Sequence, residues 1–470
     1  MSQTRIDQIM QAVQSKITAR HYLPGARLPS VRAQAKAMQV SVSTVVEAYE
    51  RLVAEGCIQS KPGAGFYACG HVAPLNLTQI GPKVEREIDP LWVSRQSLEA
   101  DDTMLKPGCG WLPPEWLYQT GIRRALRTVA REDSLDLTDY ATPLGHPAFR
   151  QYLQRRLASN DIDVNAEQIM LTESGTQAID LIGRLFLEPG DTVLVDDPCY
   201  FNFHALLKAH RAKVIGIPYT PNGPDVVAFE AALAEHTPRL YITNSGIHNP
   251  TGASLSPMVA HKVLMLAEAA DLVIVEDDIF ADLEMDTTPR LAAFDGLNRV
   301  LEIGSFSKTV SASVRCGYIA GRADWIEKLV DLKIATSFGG SRLGAEIVLQ
   351  TLTNSGYRKH MERLRLWLAK QRQTTKEKLA KLGITPWLEP KAGMFLWCQL
   401  PKGVEATKLA QICVKQGLIL APGNAFSLSQ SAHDFLRFNV AQCTDDKVFT
   451  ILASALNQCL EATPDSHLTK

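Results

Sequence analysis

The spacing of apolar side chains divides the chain into stretches of different period. Near the N-terminus Ile6, Ile9, Met10, Val13 and Ile17 recur at i, i+3, i+4 and i+7, which predicts an amphipathic helix ending before the turn pair Pro24-Gly25. Ser30 can cap a short second helix from Val31 to Met38, with Gln39-Val40 as the following turn. Ser41 can cap a third, with Val45, Tyr49, Leu52 and Val53 as its apolar stripe and Gly56 as its stop. Two short runs, Cys57 to Ser60 and Phe66 to Cys69, flank the turn Lys61-Pro62-Gly63-Ala64-Gly65 and predict a β-hairpin.

From His71 to about Ala100 the periodicity lapses, with Pro74, Pro82 and Pro90 as punctuation. A connector is expected there, with a short helix around Leu91 to Leu98. Beyond it β-rich runs alternate with helical segments: Ile169 to Leu171, Thr192 to Val195, Lys213 to Ile217, Leu240 to Thr243, Leu272 to Val275, Val300 to Ile303 and Tyr318 to Ala320. Several are apolar on both faces, which predicts a mostly parallel central sheet covered by helices. Long charged helices and a final α+β unit follow residue 323. The expected organisation is a small α+β winged helix-turn-helix head over 1–70, a linker over 71–100, and an α/β body over 101–470 with a C-terminal α+β subdomain.

At 470 residues the chain exceeds one ordinary core, which agrees with that division. Its 46% apolar and 21% charged content fit a soluble globular protein, and no run is long enough to span a bilayer, so no membrane partner is expected. Nine cysteines, odd in number and without a C-x-x-C pair, read as reduced thiols of a cytoplasmic protein, and no metal site is expected. The net charge of −1 is unevenly spread: residues 1–70 hold eight Lys/Arg against four Asp/Glu, which leaves −5 for the remainder. A basic head on an acidic body points to a polyanion partner for the head alone.

The loops that follow the predicted strands carry the candidate chemistry. In GSFSKTVSASVRCGYIAG, Gly304 to Gly321, Lys308 sits on a small-residue loop after a buried strand, where open α/β sheets place ligands. Hydroxyls at Ser305 and Ser307, with Arg315, would make an anion pocket beside that amine. The combination suggests a Schiff base to a phosphate-bearing aldehyde, with pyridoxal 5'-phosphate the obvious candidate. Ser174, Gly175 and Thr176 open a helix whose N-terminus can meet a phosphate, and Tyr200 can stack on a planar ring. Asn249, in His248-Asn249-Pro250-Thr251-Gly252, offers an amide to a phenolic oxygen. Asp277 ends a strand in a carboxylate, which is costly unless something cationic such as a pyridinium nitrogen meets it; Glu276 and Asp278 beside it are read as ordinary surface or structural acids. Arg437, on the alternating run His433 to Ala441, suits bidentate capture of a substrate carboxylate.

Leu28 to Arg32 (LPSVR), Ser41 to Ile58 (SVSTVVEAYERLVAEGCI) and Lys61 to Tyr67 (KPGAGFY) together resemble the DNA-binding domain of GntR-type transcription regulators. The resemblance implies that Arg32, Ser41, Ser43 and Thr44 face double-stranded DNA and that Lys61 belongs to the wing. The chain departs from the family at Val42 and Val46, where arginine is common, so phosphate contact should weaken and its salt dependence flatten. From roughly Asp101 to Thr463 the motifs resemble the fold type I aminotransferases. That implies Lys308 as the Schiff-base lysine, Asp277 as partner of the pyridine nitrogen, Asn249 on the cofactor hydroxyl and Tyr200 on the ring. It implies Ser174, Gly175, Thr176, Ser305 and Arg315 on the phosphate, and Arg437 on the α-carboxylate. Tyr140 would reach the phosphate of the neighbouring subunit in a homodimer. One departure is Phe280, where that family usually has a tyrosine donating to the cofactor hydroxyl.

A DNA-binding head on an aminotransferase-like body resembles the MocR group of GntR-type regulators. The resemblance implies a pyridoxal-phosphate-dependent transcription regulator in which an amino acid or amine exchanges with Lys308 to form an external aldimine. The alternative is a functional aminotransferase whose head is vestigial or only tethers it.

Overall fold

A computed structural model describes residues 4–69, 90–132 and 138–461, apart from 20, 24 and 102. It divides into two compact units, Met1–Glu85 and Arg86–Lys470. No helix among the described residues is long and apolar enough to cross a membrane.

In the first unit the helices Arg5–Thr18, Val31–Met38 and Val42–Ala54 begin where side-chain oxygens cap them. Thr4 forms a reciprocal capping box with Asp7, and the hydroxyls of Ser30 and Ser41 accept from the N–H groups of Ala33 (3.2 Å) and Thr44 (3.1 Å). The hairpin pairs β1 (Ile58–Lys61) with β2 (Gly65–Ala68) in antiparallel register, Ile58 opposite Ala68 and Lys61 opposite Gly65. Ile9, Val13, Leu28, Val45, Ala48, Tyr49, Leu52 and Ile58 form the core, with Tyr49 edge-on to Phe66 at 4.9 Å. Val53 does not join them. Val45, Ala48, Tyr49 and Leu52 already complete the i, i+3, i+4, i+7 stripe, and one further step of the helix turns Val53 outward, 36% exposed.

Much of the expected connector, residues 71–89, lies outside the described residues. Its last part is the helix Pro90–Glu99, which belongs to the second unit and buries Val93 against Phe201, Trp397 and Phe426.

The second unit is built on an eight-stranded sheet: β3 (Ile169–Thr172), β4 (Thr192–Asp197), β5 (Lys213–Thr220), β6 (Gly223–Pro224), β7 (Pro238–Thr243), β8 (Val273–Asp277), β9 (Val300–Ser305) and β10 (Gly317–Ala320). Their spatial order is β3-β10-β9-β8-β7-β4-β5-β6. The central pairs β5/β4, β4/β7, β7/β8 and β8/β9 are parallel, while β10 runs antiparallel to both of its neighbours. Alternation along the strands feeds two apolar layers. Leu194, Tyr241, Ile274 and Val300 enter one; Val193, Val195, Ile242, Val275 and Leu301 enter the other. Being buried on both faces, these strands read as continuous apolar runs in the sequence.

The C-terminal part carries an antiparallel sheet of β11 (Thr385–Pro386), β12 (Phe395–Gln399), β13 (Ala421–Pro422) and β14 (Phe435–Asn439), in the order β11-β12-β14-β13. The 26-residue helix Ser355–Ala380 packs beside it, burying Leu364, Leu368 and Leu379.

Candidate functional site

The C-terminal ends of the parallel strands open on one cavity of about 580 Å³. Ten of the eleven side chains expected at a cofactor or substrate site line it: Ser174, Gly175, Thr176, Tyr200, Asn249, Asp277, Ser305, Lys308, Arg315 and Arg437. Tyr140 stands apart, 73% exposed, its ring 5.1 Å from that of Phe338.

Lys308 sits on the loop after β9, and its Nζ donates to the carbonyl of Gly110 at 2.7 Å. Burial, and then the positive charge of Arg437, lower its pKa to about 8, so roughly a tenth of the amine is neutral and nucleophilic at pH 7, far more than for a free lysine. Asp277 ends β8 and is buried. Its Oδ1 accepts from the Ile279 N–H at 3.2 Å, and no cation among the described residues lies within ion-pair distance. Burial pushes its pKa up to about 6, against the opposing pull of Asn244, the Ile279 N–H and Lys308.

Arg437, on β14, is clamped between the rings of Phe395 and Phe426, 4.3 Å and 4.7 Å from its guanidinium carbon. It donates to Asn249 Oδ1 (2.9 Å) and to the carbonyl of Gly108 (2.7 Å), and its Nε has no partner. Burial lowers its pKa to about 10. Arg437 forms no salt bridge among the described residues. Tyr200 lies in an aromatic cluster, 4.9 Å from Phe201 and 5.5 Å from Phe203.

At the other end of the cavity Ser174 caps the helix Gly175–Phe186, its hydroxyl accepting from the Gln177 N–H at 3.1 Å. Gly175 is buried, yet a Cβ placed on it would meet nothing within 4 Å. The first turn of this helix therefore faces open space. Ser305 Oγ lies 3.0 Å from Ser307 Oγ. Arg315 is exposed, holds a left-handed backbone (φ 52°), and forms no ion pair among the described residues. A bulky residue in that conformation is sterically costly and is kept where the loop's geometry demands it.

Four cations, Lys106, Lys308, Arg315 and Arg437, line the cavity against one acid, Asp277. The residues fit pyridoxal 5'-phosphate on three separate counts. A buried carboxylate lacks a cation, as a pyridinium nitrogen would require. A helix N-terminus faces a space that any side chain would fill. The excess positive charge matches a phosphate and a carboxylate.

Sequence reasoning missed Asn244, whose Nδ2 donates to the Asp277 carbonyl at 3.0 Å, and the wall formed by Lys106, Cys109, Gly110 and the helix Pro90–Glu99. The Pro/Gly-rich stretch at Pro107 to Leu117 was the only signal of that wall in the sequence. Phe280 is buried, packs edge-on against Phe395 at 5.5 Å and lines the cavity, offering no hydroxyl to it.

In the head, Arg32, Ser41 and Ser43 are exposed, Thr44 is half-buried, and Lys61 lies on β1 with its Nζ 4.6 Å from the Tyr67 ring centroid. The Ser41 hydroxyl also lies 2.8 Å from that of Ser43 and 2.7 Å from that of Thr44.

Fold and cavity define a fold type I aminotransferase body carried on the same chain as a winged helix-turn-helix head. The chain belongs to the aminotransferase class I and II family, whose sequence pattern matches residues 117–455, and the pattern of the gntR family of bacterial regulatory proteins matches residues 5–68. It is 27% identical over 446 residues, 92% of each chain, to an uncharacterized HTH-type transcriptional regulator, YdfD, of Bacillus subtilis (strain 168). It is 26% identical over 420 residues to the HTH-type transcriptional regulator NorG of Staphylococcus aureus (strain USA300), covering 86% of this chain and 94% of that one. Among solved structures, the α-aminoadipate aminotransferase LysN of Thermus thermophilus, complexed with N-(5'-phosphopyridoxyl)-L-leucine, superposes with a TM-score of 0.72 at 25% identity. That match covers 79% of this chain and 96% of the enzyme. The pairing of the two domains is the MocR arrangement expected from the sequence.

Proposed function

We propose that this chain is a cytoplasmic, homodimeric transcription regulator whose head binds operator DNA and whose body holds pyridoxal 5'-phosphate and senses an amino acid or amine. The observation that carries the reading is the cavity itself: an amine, an unpaired buried carboxylate and an open helix N-terminus converge there, on a chain that also bears a winged head.

The cofactor, when bound, supplies an aldehyde for reversible condensation with amines and a protonated ring that withdraws electrons. Lys308 is the amine that would hold it covalently, and its lowered pKa leaves part of the amine neutral for that role. Asp277 would meet the ring nitrogen with negative charge in a buried site and so favour its protonated form. Ser174, Gly175, Thr176, Ser305 and Arg315 would bind the phosphate, Asn249 would serve the cofactor hydroxyl, and Tyr200 would pack on the ring. Arg437 receives the α-carboxylate of the effector, held flat by Phe395 and Phe426. Tyr140, outside its own cavity, serves the partner subunit. For the effector to control DNA binding it must favour one conformation of the dimer, and a tenfold preference corresponds to about 1.4 kcal/mol.

The test is retardation of DNA from upstream of the protein's own gene, with and without a panel of amino acids and amines. Mobility that responds to one of them, together with a visible absorption band lost in Lys308→Ala, supports the reading. Colourless protein, inert to borohydride after incubation with pyridoxal phosphate, refutes it.

A second reading, a working aminotransferase, is favoured by the convergence of Lys308, Asp277 and Arg437 in one cavity. Keto-acid production from an amino-acid panel would establish it; Phe280 argues for slow turnover.

A further inference from the structure

We propose that the third helix of the head reads thymine methyl groups in the major groove through Val42 and Val46. The inference rests on the operator-binding reading above and deepens it by naming the base feature recognised.

Val42 is 49% exposed and Val46 37% exposed, whereas Val45, Tyr49 and Leu52 on the same helix are fully buried. The two outward valines are four residues apart, so they lie one above the other on a single face of the helix Val42–Ala54. Around them the first turn is uncharged. Ser41 is engaged in the cap, Ser43 and Thr44 offer hydroxyls, and the first turn carries no acid. The first ionised side chain reached along the helix is Glu47, which is paired with Arg51 at 2.6 Å.

This surface carries no cation to pair with phosphate, and it lacks the guanidinium fork that reads guanine. The major-groove feature complementary to a methyl-bearing knob is the C5 methyl of thymine. Valine suits that contact because its β-branch leaves one strongly preferred rotamer in a helix, so the methyl groups are already placed. The surroundings select DNA as the occupant rather than an apolar protein. Arg32 and Lys36 are exposed on the preceding helix, Lys61 extends from the wing, and residues 1–70 hold eight Lys/Arg against four Asp/Glu. Phosphate attraction is then supplied by these neighbours, and the valines supply base discrimination.

The experiment uses full-length protein to select duplexes from a randomised library at fixed salt. The best-retained duplex is remade with each thymine in turn replaced by uracil, which lacks only the methyl group. We expect one or two positions per half-site at which uracil weakens wild-type binding by about fourfold, the factor expected for burial of one methyl group. Val42→Ser and Val46→Ser should lose that discrimination with an unchanged salt slope; both side chains are exposed, so the head keeps its melting transition. Equal binding of uracil duplexes at every position, or thymine preference persisting in the double variant, overturns the proposal and leaves the operator-binding reading intact. Failure to retain any duplex overturns both.

Discussion

Replacing Asp277 with asparagine should stabilise the cofactor-free body at neutral pH while impairing its capture of pyridoxal phosphate. The carboxyl has an ordinary value of 3.8 and is pushed up to about 6 by burial. A group whose folded pKa is raised binds its proton more tightly when folded. Its contribution to stability is therefore full below 3.8 and declines as pH rises, until above about 6 the whole difference has been lost. Roughly two units at about 1.4 kcal/mol each give a burden of about 3 kcal/mol at pH 7.5, and about half of that at pH 5. Asparagine keeps the shape and an acceptor for the Ile279 N–H without the charge. With an unfolding entropy of about 2 cal/mol/K per residue over a body of this size, the gain corresponds to roughly 4 °C in melting temperature. Calorimetry of the body's transition at pH 7.5 and pH 5, with and without pyridoxal phosphate, measures it. Without cofactor Asp277→Asn should melt higher, with a smaller margin at pH 5. With cofactor the wild type should gain and the variant should gain little, because an amide cannot neutralise a pyridinium. A cofactor-free variant that melts lower at pH 7.5, or equal gains from the cofactor, would refute the reasoning.

Four further outcomes test the site and the head. Gly175→Val should leave the cofactor-free stability within about 0.5 kcal/mol of wild type, since its side chain enters open space, yet weaken pyridoxal phosphate binding at least tenfold in an absorbance titration. Arg437→Lys should keep the visible band but lower affinity for amino acids by roughly 30-fold or more, as loss of a buried charge-assisted contact costs about 2 kcal/mol or above. Phe280→Tyr adds a donor near the cofactor hydroxyl and should lower the spectrophotometric pKa of the bound cofactor by about one to two units, the equivalent of about 1.5–3 kcal/mol. Ser41→Ala removes the cap of the third head helix and should destabilise the head by about 1 kcal/mol in denaturant unfolding.

The sheet was legible because burial on both faces leaves uninterrupted apolar runs, and all seven expected strands lie within two residues of their observed starts. The two-residue strands β6, β11 and β13 carry no comparable pattern and were invisible. The cavity wall was hidden for a different reason. Lys308 meets Gly110 across 198 residues, and Arg437 meets Gly108 across 329. Periodicity is a local signal and says nothing about which distant loop closes over a strand end. The residues with chemistry of their own could be found one by one; the carbonyls and small side chains that complete their surroundings could not.

The run Glu276-Asp277-Asp278 shows how structure separates acids that a sequence presents as equals. Glu276 and Asp278 share a face of β8 and its continuation, and both are buried, which removes the surface reading and leaves the structural one. Glu276 accepts from the Ser245 hydroxyl and from the N–H groups of Leu291 (2.7 Å) and Ala292 (2.8 Å). Asp278 meets Arg290 at 2.9 Å, and the same guanidinium meets Glu284 at 2.7 Å. Glu302, opposite Glu276 in register, accepts from Tyr318, and burial, then the charge of Asp278, push its pKa well above the ordinary value. Each of these acids therefore has at least one bonded partner. Asp277 points to the opposite side of the strand, lines the cavity, and has no cation within ion-pair distance among the described residues. Within this run, strand alternation puts Asp277 on the cavity side, and the accounting of partners leaves it as the acid that a cationic ligand would complete.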